Sequence, residues 1–592
     1  MCGIVGELRF DKEQPSLKKI ETMLEVMTPR GPDGSGVFSE DHLIFGHRRL
    51  KIIDLSDDAA QPMVDEDLRL VIVFNGCIYN YPELREELKE QGYKFFSHGD
   101  TEVILKAYHA WGKDCVKRFQ GMFAFAILER DTKRVFVARD RLGIKPFYYI
   151  KDEKSMRFAS SLSALLKTGD VDTSIDPVSL NYYMSFHAVV PAPYTIFNGI
   201  KKLPPATRAY IEPDGTMKEE VYWELDYRRS KNDLRRSEED WIDAVDKALR
   251  LAVKRRLVSD VPVGVLLSGG LDSSLIVGLL SEFGQKDIRT FSVGFENVRE
   301  EEGNEFRYSD IIAEKYQTDH HKIQVDHKEL QENLTACVQA MAEPMVSHDV
   351  IGFYLLSREV SKHVKVVQSG QGADEVFAGY HWYPPMLEVG NAEAVKTYAS
   401  VFFDRDFEDY KTAVNAEYVD KDYAYQFVTD HFWKPHISEP IDRALRLDTQ
   451  IMLVDDPVKR VDNMTMAWGL EARVPFIDHE LVELAAKIPA IHKVRDNGKY
   501  VLKEVGRRVI PHEVIDRPKG YFPVPALKYL EGDYLDMAKG ILSDKSAKER
   551  GIFNQAYIDK LLENPAGHLT PMNASKLWQV TLLEYWLQEQ GV

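Results

Sequence analysis

The sequence has few cysteines and no long apolar run. Its 592 residues include only four cysteines, and their number and spacing are typical of neither a disulfide framework nor a metal site. No apolar stretch approaches the roughly 20 residues that a membrane-spanning helix requires. The N-terminus also lacks a basic segment followed by an apolar stretch and a cleavage site. We therefore expect a cytoplasmic protein without a membrane partner.

Positive charge is also scarce. The formal net charge is −18, whereas affinity for a nucleic-acid backbone comes from clustered Lys and Arg. The sequence therefore predicts no nucleic-acid partner, but it leaves room for a local basic pocket that binds a small phosphate ligand. Hydrophobic residues make up 44% and charged residues 29% of the chain, which is typical of a globular protein. There is no repeat and no low-complexity segment.

The length predicts two or three domains, because a single hydrophobic core rarely extends beyond about 250–300 residues. Up to about residue 165, short β-rich runs alternate with helical stretches, which indicates a mixed α/β unit. Turn signals and charged residues mark a change of character between residues 201 and 239. We place the two domains at residues 2–210 and 235–592. The β-rich runs are at 70–74, 123–128 and 135–138, and the helical stretches at 83–91 and 100–111.

After Trp241 helical periodicity dominates. Three apolar strand candidates interrupt it, at residues 261–267, 288–293 and 364–367. Alternation of strands and helices is typical of a parallel sheet covered by helices. We expect this architecture in the second domain.

A cysteine follows the initiator methionine, in Met1-Cys2-Gly3. Removal of Met1 would make Cys2 the N-terminal residue, and its free α-amine could then take the thiol proton directly or through a water. Nucleophile and general base would come from one residue. The alternative is an incidental start sequence, and Cys2 alone does not decide between the two.

A glycine-serine loop follows the apolar strand at 261–267. Glycines let the backbone approach an anion closely, and a helix N-terminus and serine hydroxyls supply donors to phosphate. Asp272 would repel bare phosphate, so it suggests a bridging Mg²⁺. The alternative is a helix cap after a glycine turn. The P-loop pattern that ends in Gly-Lys-Ser/Thr is absent. The loop residues are Ser268, Gly269, Gly270, Leu271, Asp272, Ser273 and Ser274, with a helix predicted at 275–283.

Two further segments complete a recognisable pattern. A second glycine-rich turn at 369–380 contains Asp374, which could complete a Mg²⁺ coordination shell. Four features, namely Cys2, the loop at 268–274, this turn and the segment 462–478, together resemble sequence motifs of the asparagine synthetase family. This resemblance implies an α/β protein in which an N-terminal nucleophile hydrolase domain, an αββα sandwich, precedes a pyrophosphate-loop ATPase domain.

The resemblance implies a glutaminase site in the first domain. Cys2 would attack the glutamine carboxamide, while Asn75 and Gly76 donate hydrogen bonds to the oxyanion. Arg49 would hold the glutamine carboxylate through its planar donor geometry, and Asp100 would pair with the ammonium group. The glutamine-binding set implied by the family is Arg49, Leu50, Ile52, Ile53, Asn75, Gly76, Cys77 and Asp100.

In the second domain the resemblance implies binding of ATP and Mg²⁺. A carboxylate acceptor would attack the α-phosphorus of ATP, and ammonia would then displace AMP from the acyl-adenylate. Lys519 matches a lysine that stabilises the departing pyrophosphate, and Asp272 and Asp374 are the metal ligands. The implied ATP site consists of the loop residues 268–274 together with Leu267, Val293, Ser369 and Gly370.

Three departures from the family pattern bear on substrate recognition. Cys77 replaces a glutamate beside the glutamine site, which leaves the ammonium to Asp100 alone if that glutamate helped to bind it. Gln371 stands where asparagine synthetases commonly carry a glutamate. The segment 343–354, which includes His348, lacks the threonines and arginine expected near aspartate. We therefore place an altered acceptor pocket around His348 and Gln371.

The whole-chain pattern is most similar to N-acetylglutaminylglutamine amidotransferases, which amidate an acetyl-capped dipeptide to give an osmoprotectant. An asparagine synthetase that converts aspartate remains the alternative. An ATP-independent glutaminase would need no nucleotide-binding loop. An interaction protein that has lost catalytic activity would not need Cys2, Asp272, Asp374 and Lys519 intact. A β-lactam-forming relative would have no use for Cys2. A homodimer is compatible with the sequence, which does not decide the oligomeric state.

Overall fold

The computed structural model describes residues 2–296, 306–517 and 525–592. The predicted catalytic residue Lys519 lies outside these described residues. In the first part of the chain the strands form two antiparallel sheets. These strands are β1 Gly3–Arg9, β2 Gly34–Glu40, β3 Leu43–Arg49, β4 Met63–Asp65, β5 Leu70–Ile78, β6 Gly121–Glu129, β7 Arg134–Arg139, β8 Tyr148–Lys151, β9 Ser155–Ala159, β10 Lys201–Lys202, β11 Thr207–Ile211 and β12 Met217–Val221.

The two sheets stack face to face. Within the described chain, one has the strand order β10-β8-β9-β1-β3-β2 and the other the order β12-β11-β7-β6-β5-β4. In β5, Val71 and Val73 belong to the core between the sheets, whereas Ile72 and Phe74 face a second core beneath helices. Successive strand residues point to opposite faces, so burial of both faces explains why this stretch is apolar throughout.

Helices cover the outer face of each sheet. Tyr81–Glu90 and Asp100–Trp111 pack on the second sheet through their apolar residues, and Leu17–Val26 packs on the first. The first half is therefore an αββα sandwich, as predicted. Its other helices are Cys115–Arg118, Leu162–Leu166 and Pro177–Ser185.

The second half is built on a parallel sheet. Its strands are β13 Val263–Leu266, β14 Arg289–Phe295, β15 Asp319–Val325, β16 Val366–Gln368 and β17 Glu471–Arg473. Among the described residues their order is β15-β14-β13-β16-β17, and every pair is parallel. The predicted strands correspond to β13, β14 and β16. The sequence did not predict the edge strands β15, which is polar, or β17, which has only three residues.

Helices surround this sheet, and those at Leu271–Glu282, Phe306–Tyr316 and Val350–Val360 contact its strands. A long helical run between residues 440 and 466 includes two π-helical segments, one of them around Pro457, which has no N–H to donate. The helices of this half are Glu238–Arg255, Leu271–Glu282, Phe306–Tyr316, His327–Ala340, Val350–Val360, Ala373–Phe377, Pro385–Glu388, Ala394–Phe402, Phe407–Ala413, Tyr423–Phe432, Pro440–Leu447, Lys459–Met466, His479–Lys487, Ile491–Val494, Tyr500–Arg507, His512–Ile515, Pro525–Tyr529, Asp533–Ser543, Lys545–Arg550, Gln555–Glu563 and Lys576–Gln590.

The two halves share one hydrophobic core. Phe197 stacks on Trp586 with ring centroids 5.7 Å apart, and Lys145 donates to Asp462 across the boundary at 2.9 Å. The turn at residues 213–215 joins β11 to β12, so the antiparallel sheet extends beyond residue 210. The division at residues 210 and 235 stays a prediction. In the part of the chain that the structure describes, no helix has the length and apolar character of a membrane span.

Candidate functional site

Cys2 lies at the start of β1, where its backbone N–H donates to the Oδ1 atom of Asn75 at 3.1 Å. The residue is only 8% exposed. Burial raises the pKa of the Cys2 thiol, and the Leu50 backbone N–H and the Arg49 guanidinium offset this rise only in part. A buried neutral thiol needs a base to become a nucleophile.

Two hydrogen-bond donors stand beside Cys2. The Nδ2 atom of Asn75 is buried and has no hydrogen-bond partner among the described residues. Leaving such a donor unpaired costs about 1–3 kcal/mol, which is typical of a group reserved for a ligand. The next residue must be glycine, because a Cβ atom at Gly76 would lie 2.1 Å from the carbonyl oxygen of Met122. The pair is suited to holding an oxyanion.

Cys2 and Arg49 line the same cavity. Its guanidinium donates to the carbonyl oxygens of Ser56, at 2.7 Å, and of Asp54. The Asp54 carboxylate in turn accepts the His98 N–H at 2.7 Å, so the loop is fixed from both sides. Arg49 thus already binds oxygen acceptors and presents the geometry that a carboxylate needs. The predicted residues Leu50, Ile52, Ile53, Gly76 and Cys77 also line this cavity.

The carboxylate of Asp100 is buried in the lining of this cavity and accepts the Ile78 N–H at 2.9 Å. Burial raises its pKa to about 6, and the negative charge of Glu471 adds to the rise. Glu471 and Arg473, which belong to β17 of the second half, line the cavity as well. No role is predicted from the sequence for either residue. Asp100 is therefore not the only carboxylate at this site.

Cys77 lies at the boundary between the halves. Its Sγ atom is 3.7 Å from Nη2 of Arg473, and burial raises the pKa of its thiol well above the ordinary value. The thiol is therefore neutral, as expected for a buried inert cysteine. The four cysteines of the chain are all buried and free.

The glycine-serine loop leads directly into the helix Leu271–Glu282, so the helix begins four residues earlier than predicted. Asp272 and Ser273 lie in its first turn. The loop is held by Ser268, whose Oγ atom is 3.1 Å from Oγ of Ser273. Gly269 has a φ of +73°, and a Cβ there would lie 2.6 Å from the Ser309 nitrogen. The loop thus presents a helix N-terminus, the arrangement that binds phosphate.

This helix N-terminus opens into a cleft of about 760 Å³. The sequence-predicted residues that line it are Leu267, Ser268, Gly270, Leu271, Asp272, Ser273, Val293, Ser369, Gly370, Gln371 and Asp374. Gly269, Ser274 and His348 do not line it. Ser274 is fully buried in the helix. In place of His348, the neighbouring Asp349 faces the cleft, because adjacent residues at a helix start point in different directions.

Lys499 binds both predicted metal ligands. Its Nζ atom is 2.6 Å from Asp272 and 2.9 Å from Asp374, and these carboxylates raise its pKa despite burial. Two carboxylates that converge on one cation fit a Mg²⁺ ion that phosphate oxygens also bind. In the described residues, no group of three or more His, Cys, Asp or Glu side chains could hold a metal by itself.

The basic residues that line this cleft follow a recognisable pattern in the sequence. Lys499, Lys503 and Arg507 follow an Asn-Gly turn at a spacing of four residues, which places them on one helix face. All three line the cleft, together with Arg517. The signal for Glu471 and Arg473 was weaker, since it consisted of two charged residues within an apolar signature.

Comparisons with known proteins agree with this geometry. The model of the asparagine synthase family matches residues 244–588, and the glutamine amidotransferase domain matches residues 1–223. A glutamine-hydrolysing asparagine synthetase 1 from Bacillus subtilis (strain 168) is 31% identical and covers 99% of this chain and 96% of its own length. Asparagine synthetase B from Escherichia coli (strain K12) is 28% identical over 88% of this chain and 82% of its own.

A shorter match extends the comparison to an archaeon. A putative asparagine synthetase from Methanocaldococcus jannaschii is 38% identical over 64% of this chain and 76% of its own length. The family model alone matches more than half of the chain. The chain therefore belongs to the asparagine synthetase family and is a carbon–nitrogen ligase with a glutamine amidotransferase domain at its N-terminus.

Proposed function

We propose that the chain hydrolyses glutamine at Cys2 and uses the ammonia to amidate a carboxylate activated by ATP. The observation that carries this proposal is the closeness of the two sites. The Ser369 N–H donates to the carbonyl oxygen of Arg473 at 2.9 Å. Arg473 lines the cysteine cavity and Ser369 lines the cleft. Ammonia released at one site would therefore reach the other through the protein interior.

In the proposed glutaminase reaction, the Cys2 sulfur attacks the carboxamide carbon of glutamine. After removal of Met1, the α-amine of Cys2 takes the thiol proton and delivers it to the leaving ammonia. Asn75 Nδ2 and the Gly76 N–H stabilise the oxyanion, and water then hydrolyses the thioester. Arg49 would exchange its carbonyl partners for the substrate carboxylate, and Asp100 would bind the ammonium group.

In the proposed second reaction, a carboxylate oxygen of the acceptor attacks the α-phosphorus of ATP, and pyrophosphate departs. Ammonia then attacks the acyl carbon, and AMP departs. The N-terminus of Leu271–Glu282 and the basic wall of the cleft bind the phosphates. Asp272 and Asp374 would hold Mg²⁺, which neutralises phosphate charge. We keep Lys519 as a further candidate for stabilising pyrophosphate.

The acceptor is the finer part of the proposal. The segment 343–354 contributes Asp349 and Phe353 to the cleft, and Asp349 forms a 3.1 Å ion pair with Arg460 behind it. An acid and an aromatic ring suit a capped, amide-bearing acceptor better than the two carboxylates of aspartate. We therefore propose N-acetylglutaminylglutamine as the acceptor, hence osmoprotectant synthesis in the cytoplasm. The names of the relatives favour aspartate instead.

The test is an assay of the purified enzyme with ATP, Mg²⁺ and glutamine, with aspartate and N-acetylglutaminylglutamine as alternative acceptors. We expect pyrophosphate release and an amidated product of the capped dipeptide. Faster formation of asparagine would show that aspartate is the acceptor. Glutamine hydrolysis without any nucleotide dependence would contradict the ligase reaction as a whole.

Cys2→Ala separates the two sites in the same assay. We expect this variant to lose glutamine-dependent synthesis and to keep synthesis from added ammonium salt, because the cleft does not include Cys2. Cys115→Ala is a matched control, since Cys115 is a buried cysteine in a helix away from the cavity. Loss of both activities in Cys2→Ala alone would refute the two-site scheme.

A further inference from the structure

The glutamine cavity is completed by the second half of the chain. Glu471 and Arg473 line it beside Cys2, Arg49 and Asp100, although they belong to β17, an edge strand of the parallel sheet. Both residues are essentially inaccessible to solvent, at 1% and 0% exposure. A carboxylate in the wall of a binding cavity is a candidate for binding a cationic group of the ligand.

Arg473 holds Glu471 in place. Its Nε atom donates to Glu471 Oε1 at 2.6 Å, and its Nη1 atom donates to the carbonyl oxygens of Arg256 and Val258 at 2.9 and 2.7 Å. These bonds fix the guanidinium to the protein. The Glu471 carboxylate is thereby held within the cavity lining.

The first half of the chain contributes little negative charge to the lining of the glutamine cavity. Cys77 contributes a neutral thiol, and it already contacts Arg473 Nη2 at 3.7 Å. The carboxylate that the first half contributes to the lining of this cavity is that of Asp100. Two carboxylates that face one small space repel each other, and this repulsion is relieved when a cation lies between them. The ammonium group of glutamine is such a cation.

We infer that Glu471 is a second carboxylate of the glutamine site and binds the substrate ammonium together with Asp100. This inference rests on the proposed glutaminase function. It assigns substrate recognition in the first half to a residue of the second half. Arg473 is then a positioning residue, because it acts on the substrate through Glu471.

The test compares glutamine with glutaramate, the same carboxamide without the α-amine, as nitrogen donors. In Glu471→Gln we expect the KM for glutamine to rise about 10- to 100-fold, as for loss of one buried charged hydrogen bond. The kcat should change much less. The preference for glutamine over glutaramate should fall by a similar factor, because glutaramate has no ammonium to lose. Glu471→Asp, which keeps the charge, should retain most of the preference.

Two controls make the outcome specific. Synthesis from added ammonium salt should stay at the wild-type level in Glu471→Gln, which shows that the fold and the cleft are intact. Cys115→Ala, an exchange at a buried cysteine outside the cavity lining, should leave the preference unchanged. A wild-type preference in Glu471→Gln would overturn the inference, as would an equal loss of preference in Cys115→Ala. Failure of the wild-type enzyme to hydrolyse glutamine would instead refute the proposed function itself.

Discussion

At the scale of single residues, the cysteine cavity contains groups that are unfavourable in the absence of substrate. Asn75 Nδ2 is a buried donor without a hydrogen-bond partner among the described residues, and Asp100 is a buried carboxylate whose pKa is raised to about 6. Groups of this kind cluster at functional sites, because a ligand supplies the partner that the protein withholds. The stability lost at these positions is the physical signature of a binding site.

The raised pKa of Asp100 predicts a pH dependence. Below about pH 6 the carboxyl group is protonated and has no charge for the ammonium of glutamine. The kcat/KM for glutamine should therefore fall as the pH decreases through about 6, by up to about tenfold per pH unit below it. The kcat at saturating glutamine should not show this step, since bound ammonium keeps Asp100 ionised. Steady-state kinetics between pH 5 and 8 would measure both.

Asp100→Asn is the control for this assignment. The variant should have a lower kcat/KM at pH 7.5, and its profile should lack the step near pH 6. If the step persists in Asp100→Asn, another group is responsible for it.

At the scale of elements, the apolar pattern predicted the strands whose two faces are both buried. β5 and β6 are examples, because their alternate residues lie in two different cores. The pattern failed at β15 and β17, where polar side chains occupy an exposed edge or form buried ion pairs. The second carboxylate of the glutamine site belongs to β17, so its place emerged only from the tertiary structure. The sequence pattern placed the start of the helix after Leu271, because Asp and Ser are typical of turns and helix caps.

A loop of the second half fixes the segment of the first half that contains Ile52 and Asp54, beside the cysteine cavity. The carboxylate of Asp260 accepts the Asp54 N–H at 2.7 Å, and the Asp260 N–H donates to the Ile52 carbonyl at 2.9 Å. Asp260→Ala should raise the KM for glutamine about 3- to 10-fold, as for loss of one exposed charged hydrogen bond. Synthesis from ammonium salt should be unchanged. Asp260→Asn keeps an acceptor and should behave like the wild type, and an equal defect in that variant would contradict the role of this hydrogen bond.

At the scale of the whole molecule, the two halves are joined by apolar and by charged contacts. One core runs through both halves. The Asp462 carboxylate of the second half binds Arg30 at 3.0 Å and Lys145 at 2.9 Å, and all three side chains are at most 10% exposed. Arg30 also donates to the Cys2 carbonyl at 3.4 Å. The halves should therefore unfold as one cooperative unit rather than in sequence.

Asp462→Asn should lower the free energy of unfolding by about 3–5 kcal/mol, because it leaves two buried cations without a counter-charge. Arg30 and Lys145 lower the pKa of Asp462 although burial alone would raise it. The stabilisation is thus complete above the unfolded pKa of about 3.9 and is lost as the pH falls from there through the lower folded pKa. Urea unfolding at pH 7, and at a series of lower pH values that extends below about 3.9, would measure both effects. Asp131→Asn, which breaks an exposed pair with Arg69, should have no measurable effect. Two separate unfolding transitions in the wild type would show instead that the halves are stable independently.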